Sequence, residues 1–219
     1  MKLDLHVHTK YSRDCFYSPY RLLKAANKKG LDGIAITDHN TTKGWKDATK
    51  AAKKLNMQLI LGEEIKCKEG VEILGLFLKK EIKPGHVEKV IKEIRKQKGI
   101  AILAHPFSKN HSFEEIKEIA KKVDAIEILN SRRTKKMNKK ALLLCKKFKN
   151  KAITASSDAH SPFEIGTAYT ESNSKNLKEF KTSILKKRTS IKGKINNWTV
   201  HIYSTLPALI AFLLKKTSG

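Results

Sequence analysis

The stretch "LDLHVHT", residues 3–9, sets two histidines two positions apart and an aspartate two before the first. In a β-strand, residues two apart face the same side. Asp4, His6 and His8 are therefore expected on one face, and Leu3, Leu5 and Val7 on the other. An apolar wall has no need of such a polar row. Two imidazoles converging at a strand end can hold one metal ion, because zinc-type ions take nitrogen and oxygen ligands. "SSDAH" repeats the spacing with Asp158 and His160. The chain has eight histidines. Five of them (His6, His8, His39, His105 and His160) fall at or just after the ends of strand-like runs, whereas His86, His111 and His201 lie in helical or peripheral segments. Acids gather at the same ends: Asp14, Asp38, Glu63, Glu64, Glu127 and Asp158.

These residues need elements to position them. Seven apolar runs read as strands: "KLDLHVH", "GIAITDH", "MQLILGEEI", "VEILGLFL", "GIAILAHP", "DAIEILN" and "AITASSDAH". Helical patterns over 18–29, 43–55, 84–98, 112–122 and 136–149 separate most of them. Ser18 followed by Pro19 starts the first helix and Gly30 stops it. Runs three and four are joined only by "KCKEG", which reads as a hairpin-like turn. Strands alternating with helices mean a parallel sheet, either a barrel or an open doubly wound sheet. Both folds place active residues at the C-terminal ends of their strands. From about residue 190 the alternation stops. A main domain over 1–190 is expected, with an extension over 191–219 packing on its outside.

Lys+Arg 46 against Asp+Glu 21 gives a net charge of +25. Such an imbalance suits an anionic partner, nucleic acid, nucleotide or phosphate ester; lysines that are merely solvated would give the same sum. Cys15, Cys67 and Cys145 are three, far apart and without a CxxC, which fits a reducing cytoplasm. The apolar tract "LPALIAFLL" is too short to span a bilayer and reads as a packed terminal helix. No Gly-rich loop with a following Lys-Ser or Lys-Thr and no GxSxG occurs, so neither that type of nucleotide binding nor an α/β-hydrolase serine is supported. Cys15, beside Asp14, reads as a bystander.

In this order, "DLHVHT" with "YSRD", "ITDHNT", "GEE", "AHP" and "SDAH" resemble the PHP (polymerase and histidinol phosphatase) family, over residues 3 to about 170. The tail "KKRTSIKGKINNW" resembles the end of its stand-alone phosphoesterases. The resemblance implies an α/β fold, a distorted seven-stranded (β/α)7, TIM-like barrel, with two or three divalent ions (Zn, Mn, Fe or Mg) at the C-terminal ends of the strands. Carried over by motif, His6, His8, Asp14, His39, Glu64, His105, Asp158 and His160 match the metal ligands. His6, His8, Glu64 and Asp158 are expected on one ion. Asp14, His39 and His160 are expected on another, and His105 with Glu64 at a third position. Asp4 and Asp38 resemble partners that orient imidazoles, and Glu63 a solvated neighbour. The fourth strand departs from the family in having no histidine, and Glu72 is its only side chain able to ligate.

Such a cluster suits hydrolysis of a phosphate ester by a metal-bound water, with His39, His160 and Asp158 as nearby catalytic groups. Arg132 and Arg133, after the sixth strand, are expected to grip the substrate phosphate; Glu127 reads either as a supporting partner or as a core acid. The leading expectation is a cytoplasmic, stand-alone metal-dependent phosphoesterase with an anionic substrate: a nucleotide, a small phosphate ester or a nucleic-acid end. No membrane association and no obligate protein partner are expected. Histidinol-phosphate phosphatase is a second reading. A non-catalytic RNA-binding subunit with a PHP-like barrel is a third, and it would have no need of the ligand residues.

Overall fold

The computed structural model describes residues 1–148 and 151–197. Among them lie nine strands and six helices. The seven expected runs all form strands: β1 (Lys2–Val7), β2 (Gly33–Ile36), β3 (Gln58–Lys66), β4 (Glu72–Leu76), β5 (Ile100–Leu103), β6 (Ala125–Asn130) and β7 (Ala152–Ser156). The five expected helices follow as α1 (Pro19–Lys28), α2 (Trp45–Leu55), α3 (Val87–Lys96), α4 (Phe113–Lys122) and α5 (Lys135–Lys146). Three further elements were not expected: β8 (Ala168–Glu171), α6 (Leu177–Leu185) and β9 (Ser190–Gly193).

The strands form one sheet in the order β7-β6-β5-β4-β3-β2-β1-β8-β9. The segment after β7 returns to β1: His8 N donates to Ala159 O (2.9 Å) and Ala159 N to His6 O (3.2 Å). The sheet is thus a nearly closed barrel of nine strands, where seven were expected. β8 lies antiparallel on β1 and β9 on β8. Residues 191–193 belong to β9, so the start of the expected 191–219 extension is part of the sheet. The tract "LPALIAFLL" lies outside the described residues. Among the described residues no helix is long and apolar enough to cross a membrane.

β4 runs against the others, antiparallel to both β3 and β5. The short "KCKEG" link dictates this, since a parallel connection needs a dozen or more residues. Cys67 N donates to Val71 O (2.9 Å) across the turn. Gly70 takes φ +83°, where a side chain would be strained. As a consequence Glu72, the first residue of β4, sits at the end of the barrel where the parallel strands finish.

The barrel interior is filled by Leu3, Leu5, Ile60, Leu74, Leu76, Ile100 and Ile102, all buried. The helices pack outside. α3 sets Val87, Val90, Ile91 and Ile94 against the sheet at the i, i+3, i+4, i+7 spacing of one helix face. The β2–β3 contact requires Gly33, because a Cβ there would come 2.1 Å from Gln58 O.

Strand β1 does not alternate strictly. Asp4 pairs with Ile34 but Val7 with Ile36, so one extra residue bulges out between them. Leu3 and Leu5 pack with the interior cluster, whereas Val7 packs with Leu22, Leu23 and Ala26 of α1. The bulge lets His6 follow Leu5 towards the interior. The expectation of Asp4, His6 and His8 on one common face is therefore corrected: Asp4 lies apart from the two histidines.

Candidate metal centre

Eight side chains from six chain segments converge where the parallel strands end. His6 and His8 come from the end of β1, Asp14 from the loop after it, and His39 from the loop after β2. Glu64 comes from β3, His105 follows β5, and Asp158 and His160 follow β7. Three groups of ligand atoms lie within 4.8 Å of one another: His6, His8 and Asp158; His6, Glu64 and His105; and His8, Asp14, His39 and His160. The expected residues are thus all brought together. The grouping differs from the expected one in that His8 also joins Asp14, His39 and His160, and His6 also joins Glu64 and His105.

The spacing within these groups discriminates. Two ligands about 2.1 Å from one tetrahedral ion stand about 3.4 Å apart. His8 Nε2 is 3.3 Å and His6 Nε2 3.6 Å from Asp158 Oδ1. His6 Nε2 is 3.3 Å from Glu64 Oε1, and His8 Nε2 is 3.4 Å from Glu64 Oε2. The Nε2 atoms of His6 and His8 are fully buried and make no hydrogen bond. A buried polar atom without a partner costs about 1–3 kcal/mol. Both atoms are aimed instead into a shared pocket of carboxylate oxygens, so the donor set fits divalent ions.

Neighbouring residues fix the rings. Glu127 Oε1 accepts from His6 Nδ1 (3.2 Å) and from Ser156 Oγ, while its Oε2 accepts from His105 N (2.8 Å) and Asn130 Nδ2 (3.0 Å). That leaves His6 Nε2 free to face the cavity. Ser12 Oγ lies 3.2 Å from His8 Nδ1 and accepts from His39 N (3.0 Å). Glu164 Oε2 accepts from His160 N (2.9 Å) and Ser161 Oγ (2.9 Å). Sequence reasoning passed over Ser12, Ser156 and Glu164. Only Ser12 had a signal, its place inside the "YSRD" motif. His105 (φ +25°) and Asp158 (φ +55°) hold left-handed backbone that side chains rarely adopt. Such strain concentrates at functional sites.

The electrostatics are those of interleaved acids and imidazoles. Burial opposes charge on His6, but Asp158, Glu64 and Glu127 outweigh it and lift His6 well above the usual range. Burial also opposes ionisation of Glu64 and Asp158. His6, with His105 and His39 at Glu64 and with His8 and Arg133 at Asp158, nevertheless holds both well below the carboxylate range. His8 is pushed down to about 3 by burial and by His160 and His39. His39 is lifted to about 10 against burial by Asp14 and Glu64. Asp14, on the open side of the site, bonds His39 Nε2 (3.2 Å) and His160 Nε2 (3.0 Å).

Several expected roles are corrected. Asp4 accepts from Ser157 N (3.0 Å), Ser157 Oγ (2.5 Å) and Gly166 N (2.9 Å), and Asp38 from Thr9 N (2.6 Å) and Thr9 Oγ1 (2.7 Å). They hold loops together and orient no ring. Burial raises Asp4 to about 6. Glu63 is not solvated: it is buried, accepts from Ile82 N (2.9 Å), and burial raises it to about 7. Arg132 pairs with Glu164 (2.5 Å) and so braces the His160 loop. Arg133 lies 3.1 Å from Asp158 Oδ2 at the cavity edge. Glu72 does face this end, with Oε2 3.9 Å from His105 Nε2, but its Oε1 is 3.4 Å from Lys109 Nζ. Cys15 is buried, donates to the carbonyls of His8 and His160, and burial pushes its thiol up to about 12.

Known proteins carry the same pattern. An uncharacterized protein of Methanocaldococcus jannaschii is 36% identical over 189 residues, covering 82% of this chain and 73% of its own length. Another from that organism is 43% identical over 119 residues, 49% of this chain and 69% of its own. A 5'-3' exoribonuclease of Haemophilus influenzae is 38% identical over 78 residues, 34% of this chain and 28% of its own. Among solved structures, a two-domain protein from Bacteroides vulgatus, described as containing a predicted PHP-like metal-dependent phosphoesterase, superposes with TM-score 0.74 at 20% identity. That match covers 89% of this chain and 65% of the Bacteroides chain. The fold is thus that of PHP-like metal-dependent phosphoesterases. Residues 4–215 match the PHP domain, and with His6, His8, Glu64, His105, Asp158 and His160 gathered at one end of its barrel, this chain belongs to the PHP domain family.

Proposed function

We propose that this protein is a metal-dependent phosphoesterase, with His6, His8, Asp14, His39, Glu64, His105, Asp158 and His160 as its metal ligands. The observation that carries the reading is the buried pair of unbonded atoms, His6 Nε2 and His8 Nε2, each 3.3–3.6 Å from carboxylate oxygens of Glu64 and Asp158. Divalent ions held there supply charge neutralisation of phosphate oxygens and an acidified water. The chain's own residues do the rest. Glu127 keeps the His6 proton on Nδ1, and Ser12 steadies His8. Arg133, beside Asp158 and partly exposed, is placed to donate to a phosphate oxygen, a role that Arg132, engaged with Glu164, is not placed to share. Asp14 and His39, on the open side, meet the substrate first.

The substrate class follows from charge. The net charge of +25 suits a polyanion, and the Haemophilus relative named as an exoribonuclease supports a nucleic-acid end or nucleotide. A phosphate-release screen tests this. Metal-stripped protein is given Mn²⁺, Zn²⁺ or Mg²⁺ and offered nucleotides, sugar phosphates and short oligonucleotides. Release that depends on added metal and vanishes in Arg133→Gln for the best substrate supports the reading. No release from any ester with any metal, or release unaffected by a chelator, refutes it.

A further inference from the structure

Six large apolar residues are exposed among the described residues, and three of them, Phe16, Tyr20 and Phe163, belong to one corner beside the metal centre. Phe16 lies two residues after Asp14, and Phe163 three after His160. Phe163 is 60% exposed. It forms one wall of a groove whose other wall is α1, lined there by Tyr20, Arg21, Lys24 and Lys28. The three cations follow i, i+3, i+7, a single stripe along the helix. No residue lining the groove is acidic, and α1 itself carries no acid. The walls are fixed to each other: Lys29 Nζ, at the end of α1, donates to Phe163 O (2.8 Å) and Ile165 O (2.6 Å). The Phe163 loop is fixed to the centre in turn, because Glu164 binds His160 N and Arg132. Lysines alone on a helix would be a solvated face. Aromatic rings interleaved with cations, in a groove that starts at the ligand loops, are what a flexible polyanion with flat, stackable groups requires.

We propose that this groove is the binding track of a single-stranded nucleic acid. Its phosphates meet Arg21, Lys24 and Lys28, and its bases stack on Phe163 and Tyr20, so that the strand leads into the metal centre. A duplex, whose base faces are covered, fits poorly. What happens at the strand's end rests on the phosphoesterase reading; the binding itself does not.

The test is fluorescence anisotropy on the full-length protein with a labelled phosphorothioate dT12 and with oligo-U of equal length. Phe163→Ala and Tyr20→Ala should each weaken binding about ten-fold, and Phe163→Trp should keep it. The triple variant R21Q/K24Q/K28Q should reduce the slope of log K against log salt by about 2, at about 0.7 per phosphate. A dT12·dA12 duplex should bind more weakly than the single strand, and poly-glutamate of matched charge should compete poorly. His8→Ala should bind the strand as the wild type does. Unchanged affinity in Phe163→Ala and Tyr20→Ala overturns the track, as does equal binding of the duplex. Equal competition by poly-glutamate also overturns it and points to an acidic protein partner instead. A protein that binds the strand but hydrolyses no ester leaves the track standing and sinks the phosphoesterase reading. One that hydrolyses esters but ignores these variants does the reverse.

Discussion

Glu127→Gln is a nearly isosteric change that should empty the metal centre through one proton. The wild-type carboxylate accepts four donors. Two of them cannot change role, the His105 N–H (2.8 Å) and the Asn130 amide (3.0 Å), both on Oε2. The glutamine oxygen must therefore take the Oε2 position, which turns its NH₂ towards Ser156 and His6 Nδ1. Ser156 can rotate and accept. His6 can accept only by shifting its proton to Nε2, the atom that faces Glu64 and Asp158. A protonated Nε2 cannot ligate. Loss of such an orienting partner typically costs 10–100-fold in metal affinity, or about 1.4–2.7 kcal/mol. Keeping the wild-type tautomer instead would leave His6 Nδ1–H facing the amide NH₂, at about 1–3 kcal/mol for a buried donor without an acceptor. Titration calorimetry of metal-stripped protein with Mn²⁺ or Zn²⁺ measures the loss, and ¹⁵N spectra of the histidines report the tautomer. Wild-type metal affinity in Glu127→Gln, or a His6 that keeps its Nδ1 proton in that variant, refutes the reasoning.

His8→Ala should abolish metal-dependent phosphate release at every metal concentration, while circular dichroism stays near wild type, because the interior of the barrel is filled by Leu74, Leu76, Ile100 and their neighbours. Full activity in this variant would remove His8 from the centre. Leu74→Ala, by contrast, should leave the ligands in place and lower unfolding stability by about 2–5 kcal/mol, read from urea denaturation; a loss under 1 kcal/mol would mean the interior is loosely packed. Glu72→Gln should raise the metal concentration needed for half-maximal rate only modestly, because Lys109 already shares that carboxylate; an unaltered titration would make Glu72 a partner of Lys109 alone. In metal-free protein, His39 is lifted to about 10 by Asp14 and Glu64 against burial, above its ordinary 6.5. Its stabilising effect is then fully present below pH 6.5 and lost as pH rises through about 10. The stability gap between wild type and His39→Gln should close over that window, and a constant gap would count against the ion pairs.

The sequence by itself fixed the ligand types and their addresses. Histidines and acids at strand ends are legible because strand ends in such a sheet share one rim, and five short motifs supplied all eight residues that converge. The strands and five helices were legible from apolar periodicity. The unexpected α6, β8 and β9 were not, because β8 and β9 are four-residue strands and "AYTE" and "SIKG" carry too little alternation to stand out. Only the tertiary structure decided which side chains support the ligands. Glu127 and Glu63 are both acids on central strands, yet one holds His6 and the other a backbone amide of the Ile82 loop. Asp4 stands two residues before His6, as His8 stands two after. The one-residue bulge in β1 sends it to Ser157 and Gly166 instead, and no local pattern announces a bulge that is set by pairing with β2. Arg132 and Arg133 are equivalent in sequence, but Glu164, from a loop 32 residues on, takes the first and leaves the second beside Asp158. Local chemistry names the groups that can ligate. Long-range contact decides which of them are free to do so, because a buried polar group goes to whichever partner the fold brings within reach.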